Sequence, residues 1–115
     1  MKWNKYGARK TKTLDANGEV LTFDSSRELE RWLELKIMER GKAIKNLQRQ
    51  VPFELVPKHK REDGKTERAV TYIADFVYTE NGKTIVEDVK GYRTKEYIIK
   101  RKLMLDRHGI TIKEV

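Results

Sequence analysis

Three side chains in the second half of the chain have the types and the spacing needed to work on a phosphodiester: Asp75, Asp88 and Lys90. Between them lies Asn81-Gly82, the dipeptide favoured in two-residue hairpin turns because both positions require positive φ. Residues 69–78 and 83–90 alternate apolar and polar on either side of it, which predicts two antiparallel strands. Side chains alternate with period two along a strand, so Thr71, Ile73, Asp75 and Val77 are expected on one face of the first strand. Thr84, Val86, Asp88 and Lys90 then share a face of the second, with Ile85, Glu87 and Val89 turned away. Asp75 and Asp88 each lie 6 residues from the nearer turn residue, so the hairpin brings them opposite one another.

Two carboxylates and an ammonium at one spot suit metal-assisted hydrolysis. A hard divalent ion such as Mg²⁺, with Mn²⁺ as a substitute, takes oxygen ligands, commonly one or two carboxylates with water and substrate phosphate. It polarises the phosphate and lowers the pKa of water. A neighbouring lysine positions or helps deprotonate the attacking water and offsets charge in the transition state. Asp75 lies between Ala74 and Phe76, so partial burial is expected, and paired acids in apolar surroundings repel each other without a cation. Gly91 permits close approach of a ligand to the backbone. The plainer reading is an exposed cross-strand salt bridge of Lys90 with Asp75 or Asp88, worth less than about 1 kcal/mol.

The elements that position these residues follow from local signals. Residues 1–23 are expected as a basic N-terminal arm, in which Lys5, Arg9 and Lys10 precede any acid and are candidates for gripping DNA, with a disordered terminus as the equal alternative. Asp15-Ala16-Asn17-Gly18 is a turn signal, and residues 19–23 suit a short strand. Asp24-Ser25-Ser26 offers a helix N-cap, and Gly41 a stop, predicting a helix over about residues 25–40 with Leu29, Trp32, Leu33 and Ile37 as its core stripe. Val51, Phe53 and Leu55 alternate within a strand at 47–56, followed by a polar loop at 57–68. Beyond the hairpin, Tyr97, Ile98, Leu103 and Met104 suggest a second helix at about 94–107, broken by Gly109, and residues 110–115 a last strand. The order predicts one α/β or α+β domain over residues 1–115, with a mixed sheet flanked by two helices and a core at 24–115. Lys95, Lys100 and Arg101 give the second helix a basic face that can track a phosphate backbone, or equally a solvated one. His59 and His108 lack metal-ligand spacing and are read as surface residues.

Bulk properties narrow the classes. The 26 Lys and Arg against 18 Asp and Glu leave a net charge of +8, which favours a polyanionic partner through counterion release. With no cysteine, disulfides, thiolate zinc sites and thiol nucleophiles are excluded. No apolar stretch reaches the roughly 20 residues that span a bilayer, and the basic N-terminus lacks the apolar region of a secretion signal. A cytoplasmic protein without membrane partners is expected.

Asp75 and Asp88-Val89-Lys90, with 12 residues between the two acids, resemble the signature of the PD-(D/E)XK phosphodiesterase superfamily. Phe23-Asp24-Ser25-Ser26-Arg27-Glu28, then Gln48-Arg49-Gln50-Val51-Pro52-Phe53, Tyr72-Ile73-Ala74-Asp75-Phe76 and Val86-Glu87-Asp88-Val89-Lys90-Gly91 follow in the order of a phage-encoded, restriction-endonuclease-like family. More distantly they resemble Holliday-junction resolvases and the end-cutting endonuclease subunits of some transposons. The likeness runs from about Lys5 to the C-terminus. It implies a restriction-endonuclease-like core and an Mg²⁺-dependent endodeoxyribonuclease acting in phage DNA processing or recombination, on branched DNA, in the host cytoplasm. Paired cutting by junction resolvases implies a homodimer. The resemblance also implies that Glu28 supplies a third acid to the metal or its water, although a capping-box role at the helix start is the alternative. It sets Gln50 and Lys100 toward the site. Ala74 replaces the usual proline, and Asp88 the commoner glutamate, with Glu87 beside it as a rival that the strand-face argument disfavours. The competing function is a non-catalytic nucleic-acid-binding module on the same fold.

Overall fold

The computed structural model describes residues 10–89 and 92–115. The chain opens with β1 (Thr11–Leu14) and β2 (Val20–Phe23), an antiparallel pair in which Thr11 faces Phe23. Asp15 makes the turn: its Oδ1 accepts from the Asn17 and Glu19 amides, both at 2.8 Å. The expected arm over 1–23 is therefore a hairpin from Thr11 onward. Phe23 is completely buried, so the core begins before residue 24. Polar Thr and Lys side chains hid a strand whose backbone pairing, rather than apolar alternation, holds it.

Helix α1 (Ser26–Arg40) starts where expected, with Ser25 Oγ accepting from the Glu28 amide at 3.1 Å, and stops at Gly41. Its buried face differs from the expected stripe. Leu35 is fully buried and Trp32 stacks on Phe76 at 5.9 Å, whereas Leu33 and Ile37 are 47% and 65% exposed. The sheet takes the face that carries Glu28 and Arg31, because these polar residues find partners there. Leu29 and Trp32 of the expected stripe do pack against this core, and only its Leu33 and Ile37 edge turns to solvent in favour of Leu35.

Strand β3 (Lys45–Val56) leads into a small hairpin of β4 (His59–Lys60) and β5 (Thr66–Glu67), where a loop was expected. The chain returns through β6 (Val70–Glu80), turns at Asn81-Gly82, and continues as β7 (Lys83–Asp88). Asn81 and Gly82 have φ of 51° and 75°, the double positive value of the tight hairpin turn. Helix α2 (Lys95–His108) is capped by Thr94 and ended by a left-handed Gly109. The final strand, β8, is only Lys113–Glu114 and runs parallel to β7, so α2 is the crossover of a βαβ unit.

The result is an α+β fold with a mixed four-stranded sheet in the order β3-β6-β7-β8. Successive residues of β7 go to different cores: Val86 packs with Tyr97 and Met104 of α2, while Glu87 bonds Arg31 of α1. The two helices thus cover opposite faces. Among the described residues no helix is long and apolar enough to cross a membrane.

Candidate active site

The β6–β7 register places Phe76 against Glu87 and Val77 against Val86, and one further step sets Asp75 opposite Asp88. Asp75 Oδ2 accepts from the Val89 amide at 2.7 Å, which fixes that carboxylate across the hairpin. Asp88 is 2% exposed and takes a 2.5 Å hydrogen bond from the Tyr72 hydroxyl on Oδ2. Burial, followed by the charge of Asp88, pushes the Tyr72 phenol far above its ordinary range, so Tyr72 keeps its proton and acts as donor.

On β3 the backbone leaves strand conformation at the same level, with the register kept. The β3–β6 ladder passes from Arg49↔Phe76 to Val51↔Ala74, and Gln50 between them has a left-handed φ of 55°. Leu47 packs in the α1 cluster, but Phe53 and Leu55 pack in the α2 cluster. On β6, Phe76 and Tyr78 likewise belong to α1, and Tyr72 and Ala74 to α2. The inward row changes sides at Gln50 and Asp75. Strict alternation along β6 therefore fails: Thr71, Ile73 and Asp75 open on a cleft, while Val77 packs against the α2 cluster.

That cleft, about 350 Å³, is lined by Asp24, Gln50, Thr71, Tyr72, Ile73, Asp75, Asp88, Thr94, Glu96, Tyr97 and Lys100. Glu28 lies beside it, 4% exposed, its Oε1 accepting from Gln50 Nε2 at 3.4 Å rather than reaching back to cap its own helix. Burial first, then the charge of Asp75, push the Glu28 carboxyl up to about 7; Asp24 and Asp88 add to this and Arg49 opposes it. Like charges are crowded here. Among the described residues, however, no three carboxylate or imidazole side chains converge as one metal-holding group, so Glu28 does not close with the two aspartates on a common point. The two facing aspartates and open space for water match the demands of a small hard cation, which needs few protein ligands.

Glu87, the rival acid, faces the other way and is fully occupied. It is completely buried, accepts from Arg31 Nε at 2.8 Å and Nη2 at 2.7 Å, and also accepts from the Tyr78 hydroxyl. Of the two neighbouring acids on β7, Asp88 is the one that lines the cleft.

Of the expected DNA-contacting residues, Gln50 and Lys100 reach the cleft; the Lys100 ammonium is half-buried and 3.1 Å from Glu96. Lys95 is exposed at the start of α2. Arg101 is engaged elsewhere: with Arg93 and Tyr97 it bonds Glu114, pinning α2 to β8. Lys10 is exposed, 3.9 Å from Asp24. Lys5, Arg9 and Lys90 lie outside the described residues. Sequence reasoning missed Tyr72, Tyr97 and Thr94 as lining groups, and treated Asp24 only as a helix cap. A tyrosine three residues before a candidate ligand carries no spacing signal, because it reaches Asp88 on the neighbouring strand. No curated protein matches the chain. Residues 3–113 match the model of a family described as a protein of unknown function (DUF1064).

Proposed function

The chain belongs to the DUF1064 family, and we propose that it is a divalent-metal-dependent nuclease that hydrolyses phosphodiester bonds in DNA. The observation that carries this reading is the pair Asp75 and Asp88, fixed opposite each other at the wall of an open cleft on a protein of net charge +8. The resemblance to PD-(D/E)XK enzymes supports it from the sequence side.

Asp75 and Asp88 are the residues that would hold Mg²⁺, or Mn²⁺ in its place. When bound, such an ion polarises the phosphate and makes water a stronger acid. The Val89 amide and the Tyr72 hydroxyl each hold one carboxylate oxygen, so both acids meet the cleft in a set orientation. Glu28, with a carboxyl at about 7, can take up or release a proton near neutral pH. Lys100 brings positive charge to the cleft wall, where it can offset charge on a bound phosphate. The order Asp88-Val89-Lys90 supports a role for Lys90 in orienting the attacking water. The setting that goes with this reading is phage DNA processing in the host cytoplasm by a homodimer, with branched DNA as substrate.

The test is a panel of linear, flapped and four-way DNAs incubated with and without Mn²⁺ or Mg²⁺. Metal-dependent cleavage is expected. Asp75→Asn should lower its rate on the order of a thousandfold, about 4 kcal/mol of transition-state stabilisation. Salt-sensitive binding with no metal-dependent product on any substrate would leave the non-catalytic module instead. An Asp75→Asn variant as active as its parent would remove the proposal.

A further inference from the structure

We propose that the hairpin of residues 57–69 is a wing that grips the backbone of duplex DNA beside the cleft. For its purpose this rests on the nuclease reading, since the cleft is taken as the place of cutting; its test does not. Every residue from Pro57 to Ala69 is exposed, and apart from those two the segment contains no apolar side chain. It buries no core, and an isolated two-stranded hairpin is marginal in water. Yet it is ordered: His59 pairs with Glu67 and Lys60 with Thr66, the Arg61 amide donates to the Lys65 carbonyl at 2.8 Å, and Gly64 takes a φ of 81° at the tip. Anchored on the β3–β6 ladder through Val56 and Val70, it stands out from the core without covering it.

Its charges point to the partner. Arg61 takes up two of the three acids, Asp63 at 2.9 Å and Glu67 at 3.5 Å. Lys58, Lys60, Lys65 and Arg68 form no ion pair with any described residue, so four cations are presented on an extension without apolar surface. Such a surface suits a polyanion rather than a protein groove, where apolar anchors would be needed. The hairpin continues β3 and β6, the strands that carry Gln50 and Asp75. At a strand rise of about 3.3 Å, the seven steps from Arg68 to Asp75 span at most about 23 Å, within one duplex turn of about 34 Å. One duplex can therefore meet both wing and cleft.

The test uses the full chain carrying Asp75→Asn, so that bound DNA stays intact, and the anisotropy of a labelled duplex followed across a salt series. One variant adds Lys58→Gln, Lys60→Gln, Lys65→Gln and Arg68→Gln. A charge-matched control instead adds Arg40→Gln at the end of α1, Lys42→Gln after it, Lys45→Gln at the start of β3 and Lys83→Gln at the start of β7. Each lost phosphate contact flattens the plot of log affinity against log salt by about 0.9, so the wing variant should be shallower by about 2 to 4, with the control unchanged. An unchanged slope in the wing variant, an equal loss in the control, or no duplex binding at all overturns the proposal. If the parent cuts DNA but the slopes agree, the wing alone fails. A wing-dependent slope without metal-dependent cleavage retains the wing and removes the nuclease reading.

Discussion

Replacing Arg31 by Met should destabilise the protein severely, and removing Glu87 as well should restore most of the loss. Arg31 is the bidentate partner of a fully buried carboxylate, joined to it at 2.7 and 2.8 Å. Taking away one member of such a pair leaves an uncompensated buried charge, a cost of about 3–5 kcal/mol, whereas replacing both with apolar groups is often neutral. With an unfolding entropy of about 2.1 cal/mol/K per residue, a loss of 3 kcal/mol lowers Tm by roughly 12 °C. The pH dependence has a definite sign. Burial alone would raise the Glu87 carboxyl, but hydrogen bonds from Arg31 and Tyr78, together with the charge of Arg31, hold it below the usual range. In the parent this contributes stability that is fully present above the unfolded value of about 4.3 and is lost as pH falls through the lower folded value. In Arg31→Met burial prevails, the folded value rises above the unfolded one, and the deficit should shrink as acid protonates Glu87. Urea unfolding followed by circular dichroism at pH 8 and pH 5 measures both effects. A loss below about 1 kcal/mol, a deficit larger at pH 5, or an Arg31→Met/Glu87→Met double variant no better than the single would refute the reasoning.

Two further outcomes follow from the same geometry. Leu33→Lys and Ile37→Lys should each change stability by no more than about 0.5 kcal/mol, while Leu35→Ala should cost about 2–5 kcal/mol; chemical denaturation of the three variants checks which face of α1 is buried. Tyr72→Phe removes the donor that orients Asp88 and should weaken Mn²⁺ affinity or metal-dependent activity by about 10–100-fold while the protein stays folded, a split that calorimetric titration and thermal melting together resolve.

Much of the arrangement could be read from residues whose local demands are strong. Asn81-Gly82 specified a tight turn, and with it the facing of Asp75 and Asp88. Ser25 and Gly41 marked the ends of α1, and Gly109 the end of α2. What stayed hidden depends on contacts distant in sequence. Thr11–Leu14 is a strand because Val20–Phe23 pairs with it. Leu35, rather than Leu33, is core because the sheet offers partners to Glu28 and Arg31 on the same face. The change of sides on β6 coincides with a left-handed Gln50 on the neighbouring strand, and glutamine gives no warning of positive φ in the way glycine does. Within the site, the acids were found by spacing, whereas Tyr72 was invisible because it acts across strands.

The proposed function requires Asp75 and Asp88 to hold one divalent cation between them. Crystals soaked in Mn²⁺ and measured at its absorption edge test it most directly. An anomalous peak within about 2.5 Å of an oxygen from each aspartate is expected. No peak at that position under saturating Mn²⁺, or one held by other residues, would leave the aspartate pair without a metal.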